Sequence, residues 1–210
     1  MPQIIKKINV ILIEDNRLLR DGWKMILESE PGFEVIGSFG NCEDAFASGN
    51  IGTADILVMD INLPTMSGIE GVKILCNKFP ELPVVMCSYF EDDENIFNSI
   101  LAGAVGFIAK KTPPTELSKT LKIFVDGGAT ISPAIAKKII ERRQQRNQSD
   151  EKRKNEILEE DFDLLNLISL GKSFQTIAGA LSISISEVQL RIRNIYHLLH
   201  RKVVNNNHEK

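Results

Sequence analysis

At 210 residues, with 43% hydrophobic and 25% charged side chains, the chain has the make-up of a soluble globular protein of one large or two smaller domains. No apolar run approaches the roughly 20 residues of a membrane span, and the opening MPQIIKKINVILIED, with lysines inside its apolar part and acids after it, is unlike a secretory leader. The net charge of −3 is uneven: residues 1–130 hold 11 Lys and Arg against 18 Asp and Glu, residues 131–210 hold 14 against 10.

In chain order, short apolar runs alternate with helical patterns. INVILI (8–13), FEVIGSF (33–39), DILVM (55–59), PVVMCS (83–88) and AVGFIA (104–109) read as strands. Helices are expected near 17–29, 42–49, 67–79, 92–102 and 114–126. Strands apolar on both faces and separated by single helices call for right-handed crossovers, hence a doubly wound α/β domain around a five-stranded parallel sheet. A helical pattern follows from Pro133, but 141–156 contains no aliphatic or aromatic residue and reads as solvated linker. From Ile157 the pattern is helix only: one segment opened by acids and closed by Gly171, one capped by Ser173, and a longer one capped by Ser184 or Ser186. Cys42, Cys76 and Cys87, an odd number without CxxC spacing or nearby histidines, read as reduced thiols of a cytoplasmic protein rather than a zinc site.

In an open parallel sheet, ligands collect beyond the carboxyl ends of the strands. The first strand delivers Glu14 and Asp15 there, the third Asp60, the fourth Ser88, and the fifth Phe107 and then Lys110. Converging carboxylates repel one another unless a hard divalent cation joins them, and Mg²⁺ suits such oxygens. A lysine and a hydroxyl on neighbouring strands supply donors for a phosphoryl group, and Asp60 is placed to take that group as an acyl phosphate. Each residue also has a plainer role open to it: Glu14, Asp15 and Asp60 as solvated or capping acids, Lys110 as one of a surface pair with Lys111.

ILIEDN, LVMDINLPTMSGIEGV, PVVMCS and AGAVGFIAKKTPPTEL resemble, over residues 5–130, the receiver domain of bacterial two-component response regulators. The resemblance implies a flavodoxin-like fold with sheet order 2-1-3-4-5. It implies phosphorylation of Asp60 by a sensor histidine kinase, and Mg²⁺ held by Glu14, Asp15, Asp60 and the backbone carbonyl of Asn62. Lys110 and Ser88 would bind the phosphate, with Phe107 as the aromatic residue that follows Ser88. One departure stands out: the position after Ser88, usually small in that family, is Tyr89, followed by Phe90. Bulk there is expected to screen the acceptor from small phosphodonors or from water.

The segment LLNLISLGKSFQTIAGALSISISEVQLRIRNIYHLL has a helix-turn-helix layout and resembles the four-helix LuxR-type output domain over 155–203. Val188, Ile192 and Ile195 form the buried stripe of the second helix. Ser186, Gln189, Leu190, Arg191, Arg193 and Asn194 are the candidate DNA contacts. The pattern departs from that family at Glu187, Gln189, Leu190 and Arg191, and residues 155–210 hold 6 Lys and Arg against 7 Asp and Glu, a weak basic footprint. Linker residues Arg142, Arg143, Arg146, Lys152, Arg153 and Lys154 are further candidates for phosphate contacts.

The expected organisation is a receiver at 1–130, a helical, basic linker at 131–154, and a small all-α DNA-binding domain at 155–210. The expected function is a cytoplasmic, phosphorylation-dependent transcriptional regulator that pairs as a homodimer on paired DNA half-sites and has no activity on external substrates. The alternative is a phospho-switched adaptor whose helical domain binds protein. A third possibility, an aspartyl-phosphate hydrolase, needs a second aspartate two residues after the nucleophile, where this chain has Asn62.

Overall fold

A computed structural model describes residues 6–89, 93–146 and 157–208, with backbone alone for 143–146 and 202–208. Phe90, Lys152, Arg153 and Lys154 therefore lie outside the described residues, as do the side chains of Arg143 and Arg146. The strands are β1 (Ile8–Ile13), β2 (Phe33–Phe39), β3 (Ile56–Asp60), β4 (Val84–Ser88) and β5 (Gly106–Ala109). All pair in parallel in the order β2-β1-β3-β4-β5. The helices between them are α1 (Arg17–Ser29), α2 (Cys42–Ala47), α3 (Gly68–Lys78), α4 (Asp93–Ala102) and α5 (Pro114–Val125).

Alternation along each strand divides the core in two. Ile11, Leu57, Met59, Val84 and Met86 face one layer with Val72 and Leu75 of α3. Val10, Leu12, Val58, Val85 and Cys87 face the other with Trp23 and Leu27 of α1 and Leu121 and Phe124 of α5. Burial on both faces is why these strands are continuously apolar.

The helical half comprises α6 (Pro133–Arg146), α7 (Glu159–Ser169), α8 (Phe174–Leu181) and α9 (Ile185–His208). Ser173 caps α8, and the Ser184 hydroxyl accepts the Glu187 N–H at the start of α9, whereas Ser186 lies within the helix. Val188, Ile192 and Ile195 are fully buried. The described residues after Ile157 form the three helices their periodicity predicts, and α9 runs on unbroken because nothing between Ile185 and His208 is a glycine or proline. The helical pattern from Pro133 is α6, whose Ile135, Ala136 and Ile139 form a stripe buried against α7.

A third core joins the halves. Ile96, Phe97 and Ile100 of α4 bury themselves with Ile135 and Ile139 of α6 and with Ile195, Tyr196 and Leu199 of α9. Polar contacts flank it: Lys138 Nζ lies 2.6 Å from Glu94 Oε2, and the Arg142 guanidinium sits 5.5 Å from the Phe97 ring centre. Tyr196 donates to the Thr130 carbonyl at 2.9 Å, and His200 Nδ1 lies 2.9 Å from the Leu101 carbonyl oxygen.

Candidate functional site

At the carboxyl ends of β1, β3, β4 and β5 the chain buries an ionic cluster. Glu14 is fully buried because its backbone completes the β1 edge, its N–H bonding the Phe39 carbonyl at 3.0 Å. Its own carbonyl accepts a hydrogen bond from Arg20 of α1. Asn16 caps α1 and donates its N–H to Glu14 Oε1. Asp60, 3% exposed, is the last residue of β3. The loop after it, carrying Pro64, turns back at once, because the Gly68 N–H bonds the Ile61 carbonyl at 2.9 Å. Ser67 then starts α3 through a reciprocal cap with Glu70. That return passes so near Asp60 that a Cβ on residue 68 would stand 2.0 Å from the Asp60 carbonyl oxygen.

Lys110, just past β5, reaches across the sheet ends. Its Nζ lies 2.8 Å from Asp60 Oδ2, 2.8 Å from Glu14 Oε1 and 2.6 Å from Glu14 Oε2. The last contact is an ion pair outside hydrogen-bonding geometry, so Glu14 Oε2, like Asp60 Oδ1, is a buried acceptor without a hydrogen bond. Burial raises the Glu14 carboxyl above its ordinary value; the Lys110 hydrogen bond pulls it back and the Asp60 charge pushes it up again. For Lys110, burial alone would lower the ammonium, but the two carboxylates outweigh it and raise it.

Glu14, Asp15 and Asp60 each present an oxygen within 4.8 Å of the other two, Asp15 at the exposed rim. Two buried carboxylates, each with an oxygen that accepts no hydrogen bond, and a third at the solvent edge form a donor set that suits a hard divalent cation. Asn62 lies on the exposed loop two residues beyond Asp60. Ser88 is buried at the end of β4, where its carbonyl accepts the Lys110 N–H at 2.9 Å. Phe107 is half-buried and packs against both the α3 layer and the core shared by α4, α6 and α9. Sequence reasoning overlooked Arg20: six residues from Glu14, its grip on the end of β1 depends on how α1 packs, and no motif marks it. Burial pushes the Cys42 and Cys76 thiols up to about 11, so both stay protonated at neutral pH.

The six candidate DNA contacts on α9 are not on one free face. Ser186, Leu190 and Asn194 are exposed. Arg191 pairs with Glu187 at 3.2 Å and Glu160 at 3.4 Å. Arg193 Nη1 donates to the Phe124 carbonyl of α5 at 3.2 Å, and Gln189 lies so near Gly128 that a Cβ there would stand 3.2 Å from the Gln189 Cβ. Arg193 and Gln189 are thus turned toward the α/β half.

A family model described as the response regulator receiver domain matches residues 10–122. The transcriptional regulatory protein DegU of Brevibacillus brevis is 29% identical over 203 residues, covering 90% of this chain and 86% of its own. The transcriptional regulatory protein LiaR of Bacillus subtilis is 28% identical over 189 residues, covering 90% and 89%. Among solved structures, a LuxR-family two-component response regulator from Aurantimonas sp. superposes with a TM-score of 0.58 at 26% identity, over 66% of this chain and 99% of its own. The RcsB response regulator of Salmonella typhimurium, at 19% identity and a TM-score of 0.55, covers 95% of this chain and 99% of its own and speaks to fold alone. Among the described residues, no helix is long and apolar enough to cross a membrane.

Proposed function

The chain belongs to the response regulators that carry a receiver domain, and on that premise we propose that it is a phosphorylation-dependent transcriptional regulator with Asp60 as the phosphoacceptor. The observation that carries this reading is the buried triangle of Glu14, Asp60 and Lys110, with one oxygen on each carboxylate lacking a hydrogen bond. Glu14 Oε2 meets only the Lys110 ammonium, as an ion pair at 2.6 Å, and Asp60 Oδ1 accepts no hydrogen bond, which suits carboxylates that also serve a cation or a phosphoryl group.

In the phosphotransfer, an Asp60 carboxylate oxygen attacks phosphorus, and the N–P bond of a sensor kinase's phosphohistidine breaks with its electron pair on the histidine nitrogen. Lys110 then moves from the carboxylate to the incoming phosphoryl oxygens, to which Ser88 donates its hydroxyl. Glu14, Asp15, Asp60 and the carbonyl of Asn62 would hold Mg²⁺, which when bound offsets the negative charge gathered at the site. Phe107 borders both the sheet layer and the core shared with α6 and α9, so a shift of Ser88 and Phe107 inward changes the packing under α4. The names of the relatives support transcription control as the output, and α7–α9 supply the DNA-binding unit, working in the cytoplasm as a dimer on paired half-sites.

Intact-mass measurement after incubation with acetyl phosphate or a cognate kinase tests the acceptor. One added phosphoryl group is expected on the wild-type protein with Mg²⁺ and none on Asp60→Asn; an unchanged wild-type mass with both donors overturns the reading. Gel-shift titration across salt concentrations tests the output, since groove binding weakens steeply as salt rises. Failure to retain any DNA at low salt would instead leave a protein-binding output.

A further inference from the structure

The three carboxylates that face the candidate cation site are held in different ways. Glu14 and Asp60 are buried, and each touches the Lys110 ammonium, at 2.6 and 2.8 Å. Asp15 is exposed, and its carboxylate has no hydrogen bond or ion pair with any described residue, yet one of its oxygens lies within 4.8 Å of an oxygen on each of the other two. A side chain without partners of its own is aimed by its backbone. The turn that carries Asp15 is tied on both sides: the Glu14 N–H bonds the Phe39 carbonyl, and the Asn16 N–H bonds Glu14 Oε1 at 3.2 Å. A third tie comes from Arg20 of α1, whose Nη1 donates to the Glu14 carbonyl and lies 3.5 Å from the Asp15 carbonyl oxygen. A Cβ on Gly40, just past β2, would stand 3.5 Å from the same nitrogen, so the guanidinium is lodged between the ends of β1 and β2. Its charge does not account for this place, because a cation beside the site opposes the binding of another.

We propose that Arg20 is a positioning residue for the cation site, clamping the backbone of Glu14 and Asp15 so that the Asp15 carboxylate faces those of Glu14 and Asp60. This rests on the reading of the three acids as holding Mg²⁺. Position and charge predict opposite signs for the loss of Arg20. If the guanidinium aims Asp15, removing it releases the turn and weakens cation binding. If it acts only as a nearby positive charge, removing it strengthens cation binding. A merely structural role would lower stability and leave the affinity of the folded protein where it was.

The test uses the full chain and Mn²⁺, a cation suited to the same oxygen ligands as Mg²⁺, with the unbound ion counted by its EPR signal and Mg²⁺ then added to displace the rest. Arg20→Met is expected to weaken Mn²⁺ binding about tenfold, the lower end of the roughly 10- to 100-fold that losing a group behind a metal ligand costs, since the lost charge works the other way. Because Arg20 acts through Asp15, the double variant Arg20→Met with Asp15→Asn should bind within about twofold of Asp15→Asn alone. Thermal midpoints without metal separate folding from binding. Should Arg20→Met not fold, Arg20→Lys makes the same comparison: its ammonium stops one bond short of the guanidinium nitrogen, and it too should bind more weakly than the wild type. A folded Arg20 variant that binds Mn²⁺ as tightly as the wild type, or more tightly, would overturn the proposal. So would a double variant in which the two losses multiply, since Arg20 would then act independently of Asp15. If the wild type holds no Mn²⁺ that Mg²⁺ displaces, the reading of the cation site itself has failed, and the proposal with it.

Discussion

Because a Cβ on residue 68 would meet the Asp60 backbone at 2.0 Å, Gly68 can be exchanged only by moving the phosphoacceptor loop. In an exposed helix, glycine to alanine stabilises by up to about 1 kcal/mol; here crowding against backbone reverses the sign. Gly68→Ala is expected to lower stability by about 1–3 kcal/mol in urea unfolding and to slow phosphorylation of Asp60. Lys110 presents the opposite case, a group whose removal leaves something behind. Lys110→Met strands Glu14 and Asp60 as buried acids, at a cost of about 3 kcal/mol. Mg²⁺ in the urea titration should recover part of that loss, more for the variant than for the wild type; equal recovery would argue that no cation sits among these carboxylates. The residues of this cluster were legible in the sequence because parallel strands must deliver their last side chains to one rim. Arg20 and the close pass of Gly68 were not, since both depend on how a helix or loop settles against a strand end.

Helix α4 shows where reading by element succeeds and where it stops. Its span near 92–102, like those of α1 and β1–β4, follows from apolar period and turn residues, and the structure keeps it as Asp93–Ala102. What the period does not reveal is that the face of α4 carrying Ile96, Phe97 and Ile100 is covered by α6 and α9 rather than by its own sheet. Likewise Gln189 and Arg193 read as polar groove contacts, yet a long basic side chain also serves a second buried face by laying its stem on a neighbour. This packing carries a pH dependence. His197 Nε2 faces the Arg193 Nε–H at 3.2 Å. Burial, then Arg193, Arg201 and His200 on its own helix, lower its pKa below 6.5, while Glu81 from the loop after α3 works the other way. A released α9 keeps those charges but sheds the partial burial, so its His197 takes up a proton at a higher pH than in the packed helix. The contribution to packing is thus fully present at neutral pH and lost as pH falls below the ordinary histidine value of 6.5. Amide exchange in α9, corrected for intrinsic rates, should quicken on the acid side of that value in the wild type and much less in His197→Gln; the same pH response in both proteins would show that another group titrates.

Across the whole molecule, packing and charge act in the same direction on DNA binding. An α-helix about 10–12 Å across nearly fills a major groove about 12 Å wide, so α9 cannot enter one while Gln189 and Arg193 lie against the α/β half. That half carries a balance of −7 over residues 1–130 and repels phosphates, against +4 for the remainder. Under the proposed function, release of α9 is the event that phosphorylation has to favour, and a coupling of ordinary size would raise DNA affinity about 5- to 150-fold. Tyr196 separates release from groove contact, because it is 3% exposed, absent from the groove-facing set, and bonded to the Thr130 carbonyl where α5 leads into α6. Tyr196→Phe removes that hydrogen bond, worth about 1 kcal/mol, and touches no candidate DNA contact. In gel-shift titrations with a mixed-sequence duplex, the unphosphorylated variant is expected to bind about fivefold more tightly than the unphosphorylated wild type. The two phosphorylated proteins should bind alike, since both have already let α9 go. A variant that weakens binding by the same factor in both states would mean that Tyr196 supports the fold of α7–α9, and that its bond to Thr130 does not restrain the output helix.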